Sequence, residues 1–147
     1  MIVLFCGAIG ISLAHEASCQ CSRARLLWRL GEQIRLLLDY SMTDTAAIFA
    51  QLQADSRFAS LSFLKQWDPA VGKPIATGLT AQDDRELTAF LQGLGKTDLT
   101  NQLRLADGYI AYARSRAQVY ASRCKRQKQL YIAFGFSGGA VLALMLA

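Results

Sequence analysis

Hydrophobic positions recur along almost all of this chain at helical spacing, and no stretch alternates in the manner of a strand. From Arg23 to about Tyr40, Leu27, Leu30, Ile34 and Leu37 form one apolar stripe, with Arg29, Glu32, Arg35 and Asp39 mostly off it. Thr43 or Asp44 is placed to cap a second helix that carries Ala47, Ile48 and Leu52, with Ala50 on its flank. A third helix is predicted from Ser56 to Trp67 on Phe58, Leu61, Leu64 and Trp67. It stops at Asp68-Pro69, because the residue before proline avoids helical angles. Residues 68–79 hold both prolines and form the one real loop. Thr80 and Asp83 then make a capping box for a helix buried through Leu87, Phe90, Leu91 and Leu94, and Gly95 ends it. The last pattern is the longest. Leu99, Leu103, Ala106, Ile110, Ala113, Ala117, Tyr120 and Cys124 fall in alternating steps of four and three, a seam suited to close antiparallel packing. No breaker follows it, so one helix is predicted from Asp98 into the C-terminal apolar run.

Charge changes this picture at the two ends. No charged residue stands between Met1 and Ala14, nor between Leu130 and Ala147, although the chain as a whole is 18% charged with a net charge of +5. The second run, with the residues before it, is close to the length of about 20 residues that crosses a bilayer as helix. The first reaches that length if it continues through His15 and Glu16 to Ser22. The division expected is therefore a transmembrane helix over 1–22, a cytoplasmic helical domain over 23–128 and a transmembrane helix over 129–147. The fold class is all-α, a helical bundle held between two spans. Arg23, Arg25 and Arg29 follow the first run, and Arg123, Lys125, Arg126 and Lys128 precede the second. Basic residues next to spans stay on the cytoplasmic side, so both clusters put the central domain in the cytoplasm of a multi-pass protein of the cell membrane. Small residues repeat every four positions within the runs, through Gly10 in the first and through Gly135 and Gly139 in the second, a pattern that lets membrane helices approach closely. The alternative for the first run is a signal peptide cleaved near Ala14, which would leave a secreted helical protein.

Candidate chemistry is sparse. Gly93-Leu94-Gly95-Lys96-Thr97 has the look of a phosphate loop, but Phe90 stands where that motif needs its first glycine, and a helix precedes it instead of a strand. His15, Cys19 and Cys21 form H-x3-C-x-C, with Cys124 at a similar depth if the spans are antiparallel. That is the basis of an alternative reading as a metal- or thiol-dependent membrane protein, although C-x-C is a poor match to structural zinc spacing. With one histidine, no Ser-His-Asp or Cys-His set can be assembled in the domain, so no enzyme, cofactor or small-molecule substrate is expected. Asp83, Asp84 and Glu86 read as a solvated helix start that complements the helix dipole. The clearest functional surface is basic: no acid follows Asp107. Arg114 and Arg116 lie too far from the apolar run to be explained by topology, so they are the candidate contacts for an acidic protein partner. Membrane lipid accounts for the basic residues nearer the run, and no nucleic-acid partner is expected.

Two segments carry a family likeness. Leu94-Gly95-Lys96-Thr97-Asp98 with Gln102 four positions on, and Leu130-Tyr131-Ile132-Ala133-Phe134-Gly135-Phe136-Ser137-Gly138-Gly139 at the entry to the last run, resemble the stage III sporulation protein AB family. The likeness is strongest over 80–147 and looser over 23–52. That family usually has a proline after the threonine near position 43, where Asp44 stands here. The resemblance implies a cytoplasmic domain like that of type II secretion F platform proteins. It also implies a place in a transport or channel complex between mother cell and forespore, with a secretion-type ATPase and other subunits of the complex as partners. Gly95, Thr97, Asp98 and Gln102 are expected to be a helix junction, with Thr97 or Asp98 capping the long helix and Gln102 able to brace the junction or a partner.

Overall fold

A computed structural model describes the backbone of residues 2–41, 44–68 and 71–146, and the side chains of 15–40, 44–68 and 71–130. Every regular element among them is helical: α1 (Ile2–Ser41), α2 (Thr45–Ala54), a 3-10 turn (Ser56–Phe58), α3 (Ser62–Gln66), α4 (Ala81–Gly93) and α5 (Leu99–Leu146). The helix predicted to begin at Arg23 is thus continuous with the apolar run before it, and the long seam helix is continuous with the run after it. α1 has 40 residues and α5 has 48, which makes them roughly 60 and 70 Å long.

These two helices form an antiparallel pair, because contacts rise along one as they fall along the other. Cys21 and Ala24 pack with Ala117 and Tyr120, Trp28 lies under Arg114, and Arg35 binds Asp107. Close approach is set midway by Gly31. A Cβ there would stand 3.0 Å from Tyr109 Cδ1 and 3.2 Å from Ile110 Cγ1, so any side chain would push α5 away. The predicted α1 stripe is the floor of the core: Leu27, Leu30, Ile34 and Leu37 are all buried, Leu30 and Ile34 completely. On it sit α2 through Ile48 and Leu52, then Phe58, Leu61, Leu64 and Trp67, and then α4 through Leu87, Phe90, Leu91 and Leu94.

Three expectations need correction. The buried face of α2 runs through Phe49, packed at 6.5 Å from Trp67, while Ala47 and Ala50 are exposed. A bulky ring fills the space that two alanines would leave empty. The helix expected over 56–67 is two pieces, because the Asp55 carboxylate accepts the Arg57 amide (2.9 Å) and winds 56–58 into a 3-10 turn. The loop is an ordered strap over α4. Thr88 Oγ1 accepts the Ile75 amide (3.2 Å), Asp84 accepts the Thr77 amide (2.8 Å), and Gln92 Nε2 donates to the Gly72 carbonyl (2.8 Å).

Among the described residues no helix is long and apolar enough to cross a membrane. The side chains of the two charge-free runs, with Gly10, Gly135 and Gly139, lie outside those described.

Candidate functional site

α4 begins with the predicted capping box. Thr80 Oγ1 accepts the Asp83 amide, and the Asp83 carboxylate accepts the Thr80 amide. Asp83 does far more than cap. Its side chain is 4% exposed and collects donors from α5, which lies alongside: Arg116 Nε at 2.8 Å and Nη2 at 3.1 Å, the Tyr112 hydroxyl at 2.7 Å and the Tyr120 hydroxyl at 2.9 Å. The Thr80 hydroxyl adds a fourth donor group at 2.7 Å. Burial pushes this carboxyl up, but the hydrogen bonds from Arg116, Thr80, Tyr112 and Tyr120 together outweigh it and hold the carboxyl well below the usual carboxylate range. Its charge in turn raises the Arg116 guanidinium, chiefly through their hydrogen bond. Tyr112 and Tyr120 are raised by burial first and then by donating to Asp83. One turn further along, Tyr109 stacks flat on Phe90 at 4.5 Å, so a polar clamp and an aromatic clamp fix α4 against α5 side by side.

The acidic trio is therefore not a solvated helix start. Asp83 is buried, and Asp84 accepts both the amide and the hydroxyl of Thr77; Glu86 alone stays exposed. The α5 partners Tyr112, Arg116 and Tyr120 recur with Tyr109 at spacings of three and four, a signal of one shared face but not of what it meets.

At the other end of α4, Leu94 is buried and Gly95 turns the chain with φ at 78°. A Cβ on Gly95 would meet Thr45 Oγ1 at 2.6 Å, so this glycine answers both a left-handed backbone and the start of α2. Asp98 precedes α5. Its carbonyl accepts the Gln102 amide (3.0 Å), and its carboxylate accepts the Asn101 side-chain amide (2.5 Å). Gln102 Nε2 donates to the Thr97 carbonyl (2.6 Å), which is the expected brace across the junction. Beside it, α4 and α5 leave an open groove of about 410 Å³ floored by Ala89, Phe90, Leu105, Gly108 and Tyr109, with Glu86 and Arg104 on its edges.

The sequence profile described as stage III sporulation protein AB matches residues 1–147. The chain belongs to that family. No curated protein and no solved structure matches it. In this member of the stage III sporulation protein AB family, the Leu94–Gln102 element that carried the resemblance is a helix junction, with no phosphate loop in it.

The remaining candidates are placed as follows. Arg114 is exposed, its guanidinium 5.7 Å from the Trp28 ring centre. Arg116, two residues on and so on a different face, is held by Asp83, and its charge is matched inside the fold. The two do not form one basic patch. His15 Nε2 and Cys19 Sγ stand 3.8 Å apart on consecutive turns, whereas Cys21 faces the α1–α5 seam and is buried there, with Cys124 packed against the same cluster. Two residues along a helix is a rotation of about 200°, so H-x3-C-x-C does not converge. Among the described residues no three His, Cys, Asp or Glu side chains are grouped to hold a metal.

Proposed function

We propose that this stage III sporulation protein is a non-catalytic membrane platform subunit of the transport complex between mother cell and forespore. Its helical domain resembles the cytoplasmic domain of type II secretion F proteins and docks a secretion-type ATPase. The observation that carries the reading is the α1–α5 pair. Both helices leave the domain at the same end, each continuing into a charge-free run. Exposed Arg23, Arg25 and Arg29 on one and Arg123, Lys125, Arg126 and Lys128 on the other ring that exit. By the positive-inside rule this arrangement of charge suits a hairpin of two spans with the domain between them on the cytoplasmic side. What lies inside the domain is packing and clamps: Asp83 accepts from Arg116, Tyr112, Tyr120 and both the hydroxyl and the amide of Thr80.

For the ATPase contact the reading relies on Arg114, an exposed charge propped on Trp28 at the domain-side edge of the basic exit. A rim charge of this kind acts mainly on association rate and salt dependence. The test is affinity purification of the tagged full chain from sporulating cells in mild detergent. The proposal expects a secretion-type ATPase in the eluate, recovered less well from Arg114→Glu, most visibly at low salt. An eluate that contains other membrane subunits of the complex but no ATPase, at any salt concentration, overturns it.

A further inference from the structure

Where α1 leaves the domain, Arg23 lies against the strap that precedes α4. Its Nη1 is so close to Gly78 that a Cβ there would fall 2.2 Å from it. Gly78 has φ at 75°, a backbone that calls for glycine, and a side chain there would displace the guanidinium. Arg23 forms one wall of a cleft of about 210 Å³ whose other walls include Ser60, Ser62, Phe63, Thr77 and Gly78. Ser60 and Ser62 are exposed, and Arg23 has no carboxylate partner among the described residues. The carboxylate that touches the cleft wall, Asp84, is taken up by the Thr77 amide and hydroxyl. Arg23 is the one charged side chain that lines the cleft.

A guanidinium without a carboxylate partner, in one cleft with two exposed serines, offers the donor types that a tetrahedral oxyanion takes. The planar fork supplies two charge-assisted hydrogen bonds, and the serines supply neutral ones. We propose that Arg23, Ser60 and Ser62 form a binding site for a phosphate group. Its position, one residue past the predicted first span, sets it at headgroup depth. The lipid source of that phosphate rests on the membrane reading above; the phosphate chemistry does not. An anionic surface draws basic residues to it generally, but Arg23, unlike Arg25 and Arg29, lines a cleft with two serines.

The test uses the full chain purified in non-ionic detergent and native mass spectrometry. Three ligands are titrated separately: phosphatidylglycerol, a diglucosyl diacylglycerol that has no phosphate, and inorganic phosphate. Arg23→Gln and Gly78→Ala are compared with Arg25→Gln, which loses the same charge from the opposite side of α1. Phosphatidylglycerol adducts should fall roughly tenfold with Arg23→Gln and with Gly78→Ala, less than twofold with Arg25→Gln, and recover in part with Arg23→Lys. The glycolipid should not discriminate. Arg23-dependent binding of inorganic phosphate but not of the lipid keeps the site and counts against the membrane source. Equal losses from Arg23→Gln and Arg25→Gln, or no binding of either phosphate, overturn the site. Flotation of the wild-type chain with phosphatidylglycerol vesicles reports on anchoring separately. A chain that floats but shows no Arg23 dependence refutes this proposal alone. Helical circular dichroism confirms that each variant folds, so a lost adduct is not lost structure.

Discussion

Removing the Asp83 carboxylate is the most informative single change to the domain. Asp83 is 4% exposed and joins α4 to α5 through Arg116, Tyr112 and Tyr120. Asp83→Ala strips the acceptor from these three donors and from the Thr80 hydroxyl. Breaking a buried ion pair by deleting one member costs about 3–5 kcal/mol. Arg116 is 25% exposed and can turn toward water, which reduces the expectation to about 2–4 kcal/mol. The reverse deletion is milder. In Arg116→Ala the carboxylate keeps Tyr112, Tyr120 and Thr80, so only the charge-assisted pair is lost, about 1–2 kcal/mol. Asp83→Ala should therefore be the worse of the two by roughly 1 kcal/mol or more, and the double variant should cost less than their sum. The assay is urea denaturation of the full chain in detergent, followed through Trp28 and Trp67, the chain's two tryptophans. Equal costs, or Arg116→Ala the more damaging, would show that the arginine rather than the carboxylate organises the clamp.

Three further outcomes follow from the same geometry. The Asp83 carboxyl is depressed in the fold, so its stabilisation is full above the ordinary carboxyl pKa of about 3.9 and is lost as pH falls below it. Asp83→Asn should therefore be less stable at neutral pH and flatten the decline in urea midpoint between about pH 4 and 2; an unchanged acid limb would remove Asp83 from the account. Gly95→Ala should lose about 1–2 kcal/mol through its positive φ and its approach to Thr45. Gly108→Ala, where a Cβ meets nothing within 4 Å, should instead gain up to about 1 kcal/mol from helix propensity; equal effects in the urea assay would refute the junction geometry. Among the described residues no side chain of Thr97 or Asp98 accepts a backbone amide at the α5 start, so Thr97→Ala with Asp98→Ala loses only the Asp98–Asn101 contact and should lower the melting temperature slightly, whereas an unshifted melting curve beside lost sporulation would make this element a binding surface.

Much of the fold was legible because helical periodicity is strong where burial is one-sided. Leu27 to Leu37 on α1 and Leu87 to Leu94 on α4 read directly as buried faces, and Thr80 with Asp83 read as a capping box because that motif is local. What escaped the sequence depends on contacts far along the chain. Asp83 and Arg116 are 33 residues apart, and nothing near either one distinguishes a solvated charge from a buried pair. Position along the chain placed Arg116 with Arg114, while rotation about α5 separates them and turns one inward. Phe49 took the place expected for Ala47 in the core because aromatic bulk outweighs neat spacing. The ordered strap over 71–80 looked like a plain loop, since its partners Asp84, Thr88 and Gln92 are polar residues of a helix that read as exposed.

The central claim, a helical domain held on the cytoplasmic side by two flanking spans, is tested most directly by where residue 82 can be reached. Gln82 is exposed in the first turn of α4. Gln82→Cys, in a chain whose four native cysteines are replaced by serine, is treated with a membrane-impermeant maleimide before and after permeabilisation. The account predicts no labelling in intact cells, efficient labelling once the membrane is opened, and recovery of the chain in the membrane fraction throughout. Efficient labelling in intact cells would contradict it.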